Sequence, residues 1–207
     1  MILSSMFLSA LVMNTPLVTS GAGAVLPTAQ QVVQQAVSSP VLVEQVESPY
    51  NTILVIRNGD YVTMQFGYRN QRWTESRTNP EDPTELDVQY TRLMTVGLAY
   101  AEEVERIVMI GVGGGTTSRY LATAMPDVKI EGVELDPYVL RMAKKYFGLS
   151  ETEYLELHDL DGRMYLRRSK NEYDIIMIDA YRGWFVPFHL LTTEFYEQTK
   201  DRLSDGG

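Results

Sequence analysis

Cysteine is absent from the 207-residue sequence, which excludes disulfides, thiolate metal centres and a cysteine nucleophile. Histidine is nearly as scarce. His158 and His189 stand far apart, and nothing near either has the spacing of metal ligands, so no metal is expected. Basic residues are few as well, 18 Lys and Arg against 27 Asp and Glu, which leaves a net charge of −9. Nucleic-acid binding needs clustered cations to meet phosphates, and that class is excluded. A cationic small molecule fits the charge, although acidity also serves solubility alone. The N-terminal apolar stretch, Met6 to Met13, is short and soon broken by Asn14 and Pro16, so it cannot span a bilayer.

What is present indicates a folded chain. Apolar residues make up 44% and there are 13 Tyr, enough to bury a core and incompatible with a disordered tail. Residues 1–40 form a leader whose first charged side chain lies beyond it at Glu44, with a signal-peptidase-like "AGA" at Ala22–Ala24 but no basic start. It reads as a weak export signal, the remnant of a membrane segment, or a disordered leader, and the location is accordingly cytoplasmic or exported.

Residues 41–80 then read as a small antiparallel β unit. "VLVEQVES", "NTILVIRN" and "DYVTMQFG" are strand-like, and Asn58-Gly59 marks a hairpin between the last two. "ESRTNPEDPTELD" reads as a polar loop, followed by a helix with Leu93, Val96 and Leu98 at helical spacing. From there residues 81–207 alternate: strands "RIVMIGV", "VKIEGVEL", "YLELHDL" and "YDIIMIDAY" are separated by helical stretches. The helix "DPYVLRMAKKYFG" is written most plainly, with Asp136 as cap, Pro137 in the first turn and Gly148 after its end. The fold class is α/β: a Rossmann-like, mostly parallel sheet preceded by the hairpin unit. Four strands are few for this architecture, and a helix ending in "SDGG" normally leads into another strand, so a truncated chain is expected.

Ligands of open α/β sheets bind outside the carboxyl ends of the strands. The first strand ends in Gly111-Val112-Gly113-Gly114-Gly115, bare backbone that can turn sharply and approach a ligand. Thr116 stands where a dinucleotide binder has its third glycine. Glu134, 23 residues past Gly111, ends the second strand at the distance of a ribose-binding carboxylate. Asp159 or Asp161 ends the third and is placed to bond an adenine amino group. Asp179 ends the fourth, where a carboxylate takes a proton or holds an ammonium. Several carboxylates around one cleft favour a positively charged ligand such as a sulfonium nucleoside or an amine.

The run "IVMIGVGGGTTSRYL … IEGVELDPYVL … YFGL … DGRMYL … YDIIMIDAY … PFHLLTTEFY … LSDGG" resembles the spermidine synthase (polyamine aminopropyltransferase) family, on the S-adenosylmethionine-dependent methyltransferase fold. "ESPYNTILVI" resembles the stretch opening that family's N-terminal β unit, so the likeness runs from about Val43 to Gly207. The resemblance implies a transferase of polyamine biosynthesis with decarboxylated S-adenosylmethionine, or S-adenosylmethionine, as co-substrate. It implies Glu134 at the ribose, Asp161-Gly162 by the adenine, Pro187 in the nucleoside pocket, and Asn51 in place of a nucleoside-contacting Gln. Gly111, Gly113, Gly114 and Gly115 would hold the nucleoside, Asp179 would deprotonate the amine, and Gln71, Tyr90 and Tyr181 would contact it. The expected partners are a nucleoside and an amine, with a homodimer left open.

Three departures bear on the amine. Gly114 stands where the family has an amine-gripping aspartate; Tyr90-Thr91-Arg92 stands for Tyr-His-Glu; and Arg182 replaces the second aspartate of the fourth-strand motif. A guanidinium beside an ammonium costs on the order of 1–4 kcal/mol at 4 Å, which counts against ordinary putrescine. Two alternatives stand beside aminopropyl transfer: an S-adenosylmethionine-dependent methyltransferase, although Met109 occupies the position two before the first glycine where that class carries an acid, and a non-catalytic nucleoside-binding relative.

Overall fold

The computed structural model describes residues 39–68, 71–181 and 185–207, with the side chains of Tyr68 and Gln71 left out. Arg182 and residues 1–38 of the leader lie outside the described residues.

The chain opens with an antiparallel meander in the order β1 (Val41–Glu47), β2 (Thr52–Asn58), β3 (Tyr61–Tyr68) and β4 (Gln71–Thr78). Its tight turn is centred one residue later than the sequence suggested. Asn58 pairs with Tyr61, so Gly59 and Asp60 form the loop, with Gly59 at φ +60° supplying the left-handed backbone. Cross-strand neighbours Ile53 and Phe66, and Val55 and Met64, are buried pairs on the inner face.

Strand β4 corrects the expected loop: residues 75–78 of "ESRT" are strand. Its buried residues are Ser76 and Thr78, not aliphatics, so the apolar alternation that marks a strand is missing. The pairing also shifts, with Met64 opposite Ser76 but Gln65 opposite Thr74. Glu75 is therefore the extra residue of a β-bulge.

After α1 (Gln89–Met94) the chain tightens into a 3₁₀ turn, Thr95–Ala99. The expected apolar stripe does not hold together there. Three residues per turn replace 3.6, which leaves Leu93 and Val96 facing solvent while Met94 and Leu98 pack on the core.

The second sheet is wholly parallel: β5 (Arg106–Ile110), β6 (Lys129–Glu134), β7 (Leu155–Asp159) and β8 (Ile175–Ile178), in spatial order β7-β6-β5-β8. Ile107 to Ile110 of β5 are all buried, as a central parallel strand requires. Between the strands run α2 (Thr116–Ala124), α3 (Pro137–Tyr146) and α4 (Gly162–Arg168), and α5 (Thr193–Lys200) follows β8. Helix α3 starts as expected, with the Asp136 carboxylate accepting from the Tyr138 N–H and Pro137 next to it. Its Val139 and Met142, with Phe147 just beyond, pack against Ile53, Val55, Val62, Met64 and Phe66 of the meander. That cluster joins the two sheets. No helix among the described residues is long and apolar enough to cross a membrane.

Candidate active site

Strand order places the crossover reversal at β5, flanked by β6 on one side and β8 on the other, and open α/β sheets bind ligands just outside that point. A cleft of about 690 Å³ lies there. Asn51, Gly111, Glu134, Asp161, Gly162, Asp179, Tyr181 and Pro187, all expected from the sequence, line it together. Asp159, the alternative to Asp161, is exposed at the end of β7 and stays outside the lining.

The glycine loop is shaped chiefly by its own protein. Gly111 has φ +92°, and a Cβ there would stand 2.2 Å from the Asp179 carbonyl oxygen, because the Asp179 N–H donates to Ile110 O at 2.7 Å and draws the two strand ends together. Gly111 is the loop glycine that lines the cleft, while a Cβ on Gly113, Gly114 or Gly115 would meet β4, Phe147 or Leu149. The Gly114 N–H donates to Ser76 Oγ at 2.8 Å, and a Cβ on it would fall 2.6 Å from Ser76 Cβ and 2.9 Å from Phe147 Cδ1. No aspartate fits there, which accounts for one departure from the family pattern.

Glu134 organises this loop. Its Oε2 accepts the N–H groups of Val112 and Gly113 at 3.0 and 3.1 Å, and its Oε1 that of Asp136 at 3.1 Å. Burial raises its proton affinity and the backbone donors offset part of the rise. The Asp136 carboxylate also accepts from Ser48 Oγ, the same oxygen that takes the Asn51 N–H at 2.9 Å, so the turn carrying Asn51 is tied to the start of α3.

Asp179 sits past the end of β8 with Tyr90 Oη donating to its Oδ2 at 2.9 Å. Burial pushes its carboxyl above the usual range and the tyrosine bond works the other way; the Tyr90 phenol is raised by burial and by the neighbouring Asp179 and Glu75 charges. Arg92, expected to repel an amine, is turned away. Two residues along a helix do not share a face, and its Nε donates to the Leu86 carbonyl at 2.5 Å. Asp161 caps α4 through the Met164 N–H at 2.9 Å and meets His189 Nε2 at 2.7 Å. The Gln71 side chain and Arg182 lie outside the described residues. Among those residues, no group of three or more His, Asp or Glu is arranged to hold a metal.

Among the lining residues that sequence reasoning missed are His189 and Glu75. His189 lies within the "PFHLLTTEFY" stretch but has no role assigned there, and Glu75 lay in what looked like a loop, where only a paired strand could reveal the bulge. Burial and the charges of Asp179 and Glu134 push the Glu75 carboxyl up to about 8 from an ordinary 4.5. A raised carboxyl binds its proton more tightly folded than unfolded, so its stabilising effect is complete below pH 4.5 and lost as pH rises through about 8. The melting temperature of the free protein is expected to fall between about pH 5 and 8.5, and Glu75→Gln to flatten that fall. A slope unchanged by the substitution would contradict the assignment.

The spermine/spermidine synthase domain matches residues 87–207, more than half of the sequence. The chain belongs to the spermine/spermidine synthase family. The polyamine aminopropyltransferase of Vibrio vulnificus is 30% identical over 177 residues, 83% of this chain and 59% of that protein. This family member thus spans somewhat over half the length of that relative. The crystal structure of a probable spermidine synthase from Corynebacterium glutamicum superposes with a TM-score of 0.71 at 22% identity, covering 79% of this chain and 61% of the other. Human methyltransferase-like protein 13, solved in complex with SAH, gives 0.54 at 25% identity over 58% and 62% of the two chains. The spermidine synthase fold, a methyltransferase-like parallel sheet behind an antiparallel one, is thereby shown.

Proposed function

We propose that the cleft transfers an aminopropyl group from decarboxylated S-adenosylmethionine to an amine. The observation that carries this is Asp179 beyond the end of β8, held by the Tyr90 hydroxyl and facing the same cleft as Glu134. Glu134 holds the ribose hydroxyls with the lone pairs its three backbone donors leave free, and Asp161 lies towards the base. The amine nitrogen attacks the aminopropyl carbon next to sulfur. The carbon–sulfur bond breaks, its electron pair stays on sulfur as a neutral thioether, and the proton lost by nitrogen goes to Asp179 Oδ. A raised carboxyl accepts that proton more readily, and orientation of the two reactants supplies most of the acceleration. Incubation with the donor and a panel of amines, read by mass spectrometry for thioether nucleoside and lengthened amine, tests this; no product with any amine overturns it.

The likeness to methyltransferase-like protein 13 favours a second reading, transfer of a methyl group from S-adenosylmethionine. Met109 counts against it: it is buried in β5, takes a contact from Ser118 Oγ at 3.3 Å on its sulfur, and offers the ligand nothing. Calorimetry separates the two, since the methyltransferase requires the carboxylated nucleoside to bind more tightly.

Tyr90→Phe removes the donor that favours ionised Asp179. The transfer rate is expected to drop roughly tenfold, and the acid limb of its pH profile to move to higher pH. A limb that stays in place would show that the pair is not coupled in catalysis.

A further inference from the structure

Among the described residues lining the cleft, the acids are Glu75, Glu134, Asp136, Asp161 and Asp179, and no Lys or Arg stands with them. Four of these carboxylates have their donors. Glu134 takes three backbone N–H groups, Asp136 takes Tyr138 N–H and Ser48 Oγ, Asp161 takes Met164 N–H and His189, and Asp179 takes Tyr90 Oη. Glu75 has no hydrogen-bond donor among the described residues, and its causes of perturbation are burial and like charges only. It is also the bulged residue of β4, and a bulge re-aims a side chain that regular pairing would direct elsewhere. The re-aimed carboxylate lies against the glycine loop, where a Cβ on Gly113 would be 3.4 Å from Glu75 Oε1.

We propose that Glu75 is the specificity residue of the cleft, accepting hydrogen bonds from a primary ammonium on the tail of the bound nucleoside. This rests on the nucleoside-binding function proposed for the same site. A carboxylate with no donor among the described residues is open to N–H donors; an ammonium brings three, whereas a sulfonium brings charge and no donor. Gly114 admits no side chain, so an acid reaching this part of the loop has to come from elsewhere, and β4 delivers it. The groups facing Glu75 are Asp179 after β8, Glu134 at the end of β6 and Tyr90 on α1. All are acidic, so the free site keeps its Glu75 proton near neutrality and an arriving ammonium displaces it.

Three probes test this by calorimetry on the full chain: neutral 5′-methylthioadenosine, the aminopropyl thioether of adenosine (ammonium without sulfonium), and decarboxylated S-adenosylmethionine (both). Wild type is expected to prefer the two amines. Glu75→Gln is expected to cut the preference for the aminopropyl thioether over the neutral nucleoside by about thirtyfold, with Glu75→Asp recovering part of it. Repeating the titration in buffers of different ionisation enthalpy should show close to one proton released per amine bound near pH 7, and none in Glu75→Gln. An unchanged preference in Glu75→Gln, no preference in wild type, or an effect confined to the sulfonium probe overturns the assignment while leaving the nucleoside site intact. Failure of wild type to bind any of the three overturns the assignment and the nucleoside site together.

Discussion

Asp179→Asn is expected to slow aminopropyl transfer by about 10²–10⁴-fold while nucleoside affinity changes by only a few-fold. Asparagine keeps the shape of the carboxylate and can still accept the Tyr90 hydroxyl, whose 2.9 Å bond fixes the side chain at the rim of the cleft. What it lacks is a basic oxygen. Burial holds the native carboxyl above its ordinary proton affinity, which suits a group that takes a proton as the new carbon–nitrogen bond forms. Single-turnover rates with saturating donor isolate the chemical step, and calorimetry on the same variant reports binding. Transfer at the native rate would remove Asp179 from the chemistry. Equal losses in rate and affinity would make it a binding residue instead.

The second large effect is on stability. Gly111→Ala places a methyl 2.2 Å from the Asp179 carbonyl oxygen and 2.7 Å from its carbon, on a backbone at φ +92°. The obstacle is main chain, held by the Ile110–Asp179 hydrogen bond of 2.7 Å, and no side-chain rotamer relieves it. The expected loss is about 3 kcal/mol or more, which for a chain of this size lowers the melting temperature by roughly 6–12 °C. Gly59→Ala is the control: φ is +60° but nothing lies within 4 Å, so strain acts alone and costs about 1 kcal/mol. Thermal unfolding followed by circular dichroism compares the two. Melting of Gly111→Ala within 2 °C or so of Gly59→Ala would show that β5 and β8 are less tightly joined than their geometry indicates.

The parallel sheet was legible because β5 and β8 carry short apolar runs and α3 carries its own start and stop signals. The cleft was legible for a related reason. Strand ends are easy to find, and Glu134, Asp161 and Asp179 stand at three of them. The glycine loop misled in part. Its composition suggested ligand contact, yet Gly114 and Gly115 are bare to let Ser76, Phe147 and Leu149 come close, partners far away in sequence. Strand β4 and Glu75 stayed hidden because a bulge is a property of pairing, and because Ser76 and Thr78 bury hydroxyls where a strand pattern calls for aliphatics. Arg92 misled through proximity in sequence, since neighbours on a helix point apart.

The Ser76 hydroxyl oxygen accepts the Gly114 N–H, and the adjoining Glu75 lies beside Gly113, so one strand of the meander braces the loop of the other sheet. The two layers thereby become partners in a thermodynamic linkage. Under the proposed function, a nucleoside spanning Glu134 and Glu75 would stabilise their association by the same free energy with which that association favours the nucleoside. Heating with saturating ligand should then merge loss of the meander and loss of the parallel sheet into a single transition. Recombining this meander with the parallel sheet of a relative would forfeit affinity even if every residue touching the ligand were retained.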